Sequence, residues 1–152
     1  MTSYTQQHRH ARISTVLGDD ALLLAAMHGS EGMSQLFSFE LSLISERQEI
    51  TFDRIIGTAV TVSLDLNSGG KRFFNGIISS FSEVSGEETV VANTRFYSYR
   101  ATMVPRFWLL GRSAELRIYQ NMSVPEIVEN ILREHSLTDF EMKLLGSYHK
   151  RE

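Results

Sequence analysis

Cysteine is absent from all 152 residues. That single absence removes disulfides, thiolate metal sites and thiol nucleophiles, and it leaves the redox compartment open. Proline occurs twice and glycine ten times, too seldom for a low-complexity linker. Bases are not in excess either: 15 Lys and Arg stand against 18 Asp and Glu, a net charge of −3. The basic stripe of a nucleic-acid binder is therefore missing, and no nucleic-acid partner is expected. Long apolar runs are lacking too. The longest compact one, ALLLAAM at 21–27, falls far short of the roughly 20 residues a membrane helix needs, so no stable membrane insertion is expected. The polar opening MTSYTQQHRHAR has no apolar h-region, and no cleaved signal peptide is expected.

What the chain does have is alternation. In LFSFELSLIS, Phe37, Phe39, Leu41 and Leu43 share one face while Ser38, Glu40 and Ser42 share the other, a period of two that predicts a half-buried strand. ARISTVL at 11–17, ALLLAAMHG at 21–29 and TAVTVSLDL at 58–66 read as further strands. NSGG at 67–70 and SGEE at 85–88 read as turns, with KRFFNGIISSFSEV between them and TVVANTRFYSYRATMVP after them as long strands. RFWLLG and AELRIYQ complete about seven strands with short connections, the pattern of an antiparallel barrel or sandwich. ITFDRIIG at 50–57 departs from it and predicts one helical turn that starts at Thr51 and plugs the sheet. Gly76, inside a strand, predicts a bulge or sharp bend.

The pattern changes in RIYQNMSVPEIVENILREH, 117–135. Ser123 and Glu126 form a capping box, Pro125 sits in the first turn where its missing N–H costs nothing, and Val124, Ile127, Val128, Ile131 and Leu132 recur at helical spacing. DFEMKLL after it reads as a strand. The expected organisation is a flexible tail over 1–11, a β-barrel-like domain over 12–120, and over 121–152 the helix-containing start of a second, α+β subdomain that is truncated. Such a piece, lacking the partner surface of its helix, is expected to be marginally stable or to aggregate.

Chemistry is sparse. His8 and His10 form an H-x-H pair with no third ligand at hand; His28 stands at a strand end, His135 at a helix end and His149 in a charged run. No G-x-S-x-G elbow, glycine-rich phosphate loop or zinc motif is present. Glu83, Glu87 and Glu88 bracket a predicted turn and read as a solvated tip. No catalytic residue, metal site or cofactor is assigned, and no enzymatic activity is expected of this region. The aromatic residues carry more information. In the pairs Phe73-Phe74, Phe96-Tyr97 and Phe107-Trp108, strand alternation sends the two rings to opposite faces. Phe74, Tyr97, Phe107 and Trp108 are the candidates for an outward subunit interface, where exposed aromatics are enriched.

On SEGMSQLFSFELSLIS, FDRIIGTAVTVSL, RFFNGIISSFSE and YRATMVPRFWLLGRSAELRIYQNMSVPEIVENIL, the sequence resembles the N-terminal hub region of VgrG proteins. These are the spike proteins of the bacterial type VI secretion system and are similar to the hub of contractile-phage baseplates. The likeness runs from about residue 12 to residue 152. It implies a mainly β hub of barrel-like subdomains that assembles as a homotrimer and docks on the Hcp tube protein. It also implies baseplate and sheath components and effector proteins as partners. Assembly in the cytoplasm would be followed by export when sheath contraction drives the spike through a target envelope. Two other readings stand beside it: a hub or tail protein of a contractile phage or phage-derived particle, and a β-barrel enzyme or ligand-binding module. The last predicts a pocket with convergent polar groups.

Overall fold

The computed structural model describes residues 4–152, and the chain divides into two compact units, Met1–Pro105 and Arg106–Glu152. This division falls earlier than the boundary expected after residue 120. The first unit is a six-stranded antiparallel sheet made of β1 (Ala11–Thr15), β2 (Leu23–Ser30), β3 (Ser38–Ser45), β4 (Ala59–Asp65), β5 (Lys71–Val91) and β6 (Thr94–Val104). The order across it is β1-β4-β5-β6-β3-β2. Strands consecutive in sequence, β1 and β2, thus stand at opposite ends, yet the side chain of Gln6 bonds to residues of both. Only a sheet curled on itself allows that, and the mainly β, barrel-like fold class expected from the sequence holds as a curled half-barrel.

Alternation decides what lies inside the curl. Phe39, Leu41 and Leu43 of β3, Val60 and Val62 of β4, Ile78 of β5, and Tyr99, Ala101 and Met103 of β6 form one buried cluster. Register places Leu41 opposite Ala101 and Ile78 opposite Met103, so inward side chains meet across each strand pair. The predicted helical turn is present as a short 3-10 segment, Phe52–Arg54, preceded by Thr51. It delivers Ile55, fully buried, into the same cluster. The turn is pinned by Gly57 N–H donating to Ile78 O at 2.7 Å and by Ile78 N–H donating to Thr58 O at 3.1 Å.

Three local expectations are corrected. Residues 85–88 do not end a strand: β5 runs on to Val91, and residues 84–87 bulge opposite the single residue Ser98, between the pairs Glu83–Tyr99 and Glu88–Tyr97. Gly86, at φ 80°, takes the left-handed position of that bulge. The true hairpin turn is Ala92-Asn93, both with positive φ, which matches the twist of the flanking strands. Second, RFWLLG and AELRIYQ are not strands. Arg106–Arg112 is a 3-10 helix directly after Pro105, and residues 113–120 run without a paired strand. A short apolar run does not distinguish strand from helix by period. Third, DFEMKLL forms no strand; among the residues after the helix, only Arg151 is bridged, to Met122.

Gly76 is a glycine because of a neighbour. A Cβ there would lie 2.5 Å from Val104 O and 2.9 Å from Met103 Cγ. Backbone approach, not a bulge at Gly76 itself, is what the position demands; the nearest β5 irregularity lies between Ile78 and Ser80.

The second unit holds helix α1, Val124–Glu134, and the Arg106–Arg112 segment. Ser123 precedes α1 with extended backbone, and Pro125 lies in the first turn. The Ser123 N–H and hydroxyl both donate to Glu126 Oε2, at 2.7 and 2.8 Å. These bonds, the backbone one first, hold the Glu126 carboxyl below its ordinary pKa, so its contribution is present above the ordinary carboxylate range and is lost as pH falls through the depressed value. Ser123→Ala is expected to weaken α1 by about 1 kcal/mol. Hydrogen exchange over 124–134 checks this, with roughly fivefold faster exchange expected for that loss.

Candidate interaction surfaces

The structure separates the aromatic candidates. Phe74 turns inward: its ring meets Phe39 edge-on at 5.2 Å, and the Arg72 guanidinium lies 4.6 Å above it. Its neighbour Phe73 is the outward member, 57% exposed. Tyr97 is half-buried against the core cluster, with its hydroxyl donating to Gln48 Oε1 at 3.3 Å. Its neighbour Phe96 is buried on the other face, beneath the Tyr4 ring at 4.9 Å. Phe107 and Trp108 lie in the second unit. Phe107 is exposed, and Trp108 is half-buried with Arg112 stacked 4.8 Å over its indole.

Sequence parity missed other bare apolar positions. Leu116 and Ile118 are almost wholly exposed. They alternate with Arg117, which bonds Glu115 and the α1 residue Glu134. Those carboxylates, Glu134 foremost, raise the Arg117 pKa further. One side of this extended stretch is thus tied to α1 and the other presents two aliphatic side chains to solvent. On the sheet unit, Val90 at the end of the long β5–β6 hairpin is exposed as well. For Leu116 and Ile118 the signal was in the sequence: the alternation in ELRIY puts both on the side opposite Arg117.

One open depression, about 460 Å³, is lined by Gln6, Arg12, Asp20, Lys71 and Phe73 among others. Arg12 is tied to Asp65 at 2.5 Å, and Asp20 accepts the Gln6 backbone N–H at 2.8 Å, which lowers its pKa. Arg12 and Asp20 are thus engaged with the fold itself. Among the described residues, no group of three His, Cys, Asp or Glu is placed to hold a metal. No helix among them is long and apolar enough to cross a membrane.

Comparison with known proteins defines the class. The phage tail baseplate hub (GPD) family matches residues 30–152, and the chain belongs to that family. VgrG1a, a type VI secretion system spike protein of Pseudomonas aeruginosa, is 38% identical over 147 residues, which is 97% of this chain and 22% of VgrG1a. VgrG1 of Vibrio cholerae, named an actin cross-linking toxin, is 26% identical over 90% of this chain and 13% of its own length. Among solved structures, the E. coli c3393 protein superposes with a TM-score of 0.68 at 24% identity, covering 93% of this chain and 37% of that one. It is described as a component of the type VI secretion system with structural similarity to the T4 bacteriophage tail proteins gp27 and gp5. The chain therefore spans about a fifth of the length of VgrG1a; its resemblance to VgrG spike proteins stands on sequence, and the c3393 protein shares its fold.

Proposed function

We propose that this chain is the hub-end segment of a type VI secretion spike, a structural part that bears load and transforms no molecule. The observation that carries the reading is the match of nearly the whole chain to VgrG1a, on a fold shared with a secretion-system component. In this reading three copies form the hub, dock on the Hcp tube protein, and are assembled in the cytoplasm with baseplate and sheath components. Sheath contraction then exports the spike, with effector proteins attached, into a target envelope. The physical features support such a role. The curled sheet has a dense core, and its sequence-adjacent end strands are bridged by side chains. Phe73, Phe107, Leu116 and Ile118 supply exposed apolar surface of the kind that subunit contacts cover. Phe107 and Trp108 keep their place as interface candidates, and on β5 the outward ring is Phe73 in place of Phe74.

The family's phage members favour a second reading, a baseplate hub of a contractile phage particle, with the same physics in another machine. The test is direct. The full-length protein is expected to run as a trimer in mass measurement and to retain purified tube protein, and its deletion is expected to stop release of tube protein from the cell. A monomer that ignores the tube protein overturns both readings. A trimer from a cell lacking secretion sheath genes selects the phage reading.

A further inference from the structure

The end strands β1 and β2 do not pair with each other in the sheet, so their facing peptide groups need other partners. The segment before β1 supplies them. The Gln6 side-chain amide donates to Ile13 O at 3.0 Å and to Leu22 O at 3.2 Å. Its oxygen accepts the N–H of Ile13 at 2.9 Å and that of Leu24 at 3.3 Å. A primary amide has two donor hydrogens and two acceptor lone pairs, and all are used here by a residue only 5% exposed. Arg9 adds a bond from Nη1 to Leu24 O at 2.9 Å. The same segment is anchored farther along. The Gln6 N–H donates to Asp20 Oδ1 at 2.8 Å, the Tyr4 N–H to Glu46 Oε1 at 3.2 Å, and the Tyr4 hydroxyl to Val91 O at 3.2 Å.

We propose that residues 4–9 are a clamp that closes the curled sheet, with the Gln6 amide standing in for the missing rung of the ladder between β1 and β2. The chemistry is specific to glutamine. A side chain of equal length without hydrogen-bonding atoms fills the space but orphans the peptide groups of Ile13, Leu22 and Leu24. Glutamate can accept but cannot donate to the two carbonyls. A segment that reads as a polar tail is thereby part of the fold, and its release opens one seam and leaves the remaining strand pairs intact.

Hydrogen-exchange mass spectrometry on the full chain, comparing peptides over 11–15 and 22–26 with peptides over 39–44 and 99–103, tests this. Gln6→Ala and Gln6→Met are both expected to speed exchange in the first pair at least about tenfold, the loss of one buried hydrogen-bonded group, and to leave the second pair within about twofold. A packing role alone predicts that Gln6→Met behaves as wild type, and that result overturns the clamp. So does acceleration spread evenly over all four peptides. Should the variants not fold, the wild-type protein still decides. With 15N-glutamine labelling, the Gln6 side-chain amide protons are expected to exchange at least about tenfold more slowly than those of exposed Gln7, and equal rates refute the proposal.

Discussion

Tyr99→Ala is expected to destabilise the sheet unit by about 3–5 kcal/mol, the range for removing a large buried ring. Tyr99 is 2% exposed, stacks on Phe81 at 5.2 Å, and donates its hydroxyl toward both Arg47 O at 2.9 Å and Gln48 O at 2.7 Å. It therefore ties β6 to the segment that follows β3, through the core. Tyr99→Phe keeps the ring and removes the donor, at an expected cost of about 1 kcal/mol. Denaturant midpoints for the pair separate ring from hydroxyl. Equal losses for both variants, or a loss for Tyr99→Ala below about 1.5 kcal/mol, contradict the account.

The same residue sets an alkaline limit. Burial, then the charges of Glu83, Tyr97 and Glu49, push the Tyr99 phenol up from 10.0 to about 12. The folded state keeps the proton that the unfolded state releases. The stabilising contribution is thus complete below the unfolded value and is lost as pH rises through the folded one. Melting temperature is expected to fall between about pH 10 and about pH 12, and the slope is expected to shrink in Tyr99→Phe. Thermal melts of the two proteins across that window check it, with tyrosinate absorbance following the titration.

Gly76→Ala is expected to have the second large effect, about 2–3 kcal/mol, at the upper end of overpacking costs. The reason is the identity of the obstructing atom. At 2.5 Å from the added Cβ lies Val104 O, a backbone atom of β6, so no side-chain rotation relieves the clash and β5 must separate from β6. Gly76 also pairs with Val60 on its other side, which limits retreat in that direction. Gly111→Ala, where an added Cβ would meet nothing within 4 Å, serves as the control; a difference below about 1 kcal/mol between the two variants in chemical denaturation removes the steric explanation.

Periodic and local features were legible in advance. LFSFELSLIS reports its inward face residue by residue, because a half-buried strand has only two sides. Ser123 and Glu126 announce the start of α1 because a capping bond spans three residues. The short turn before Ile55 and the NSGG hairpin are of the same kind. RFWLLG resisted because its apolar run has no period, and SGEE because glycine and acidic residues suit a bulge as well as a turn. Phe73 and Phe74 show the limit of parity: alternation says the rings diverge, but which one points inward depends on the register with β4 and on where Phe39 lies.

Composition, alternation and capping chemistry, all properties of neighbours in the chain, by themselves determined an antiparallel β framework followed by a capped amphipathic helix, without cysteine chemistry. Tertiary structure alone decided that the sheet curls until its ends approach, that Gln6 spans them, that Gly76 must lack a side chain, and that Phe73 rather than Phe74 faces solvent. Each of those depends on atoms brought together from distant positions by strand order and register, and a one-residue shift in register reverses every side chain of a strand.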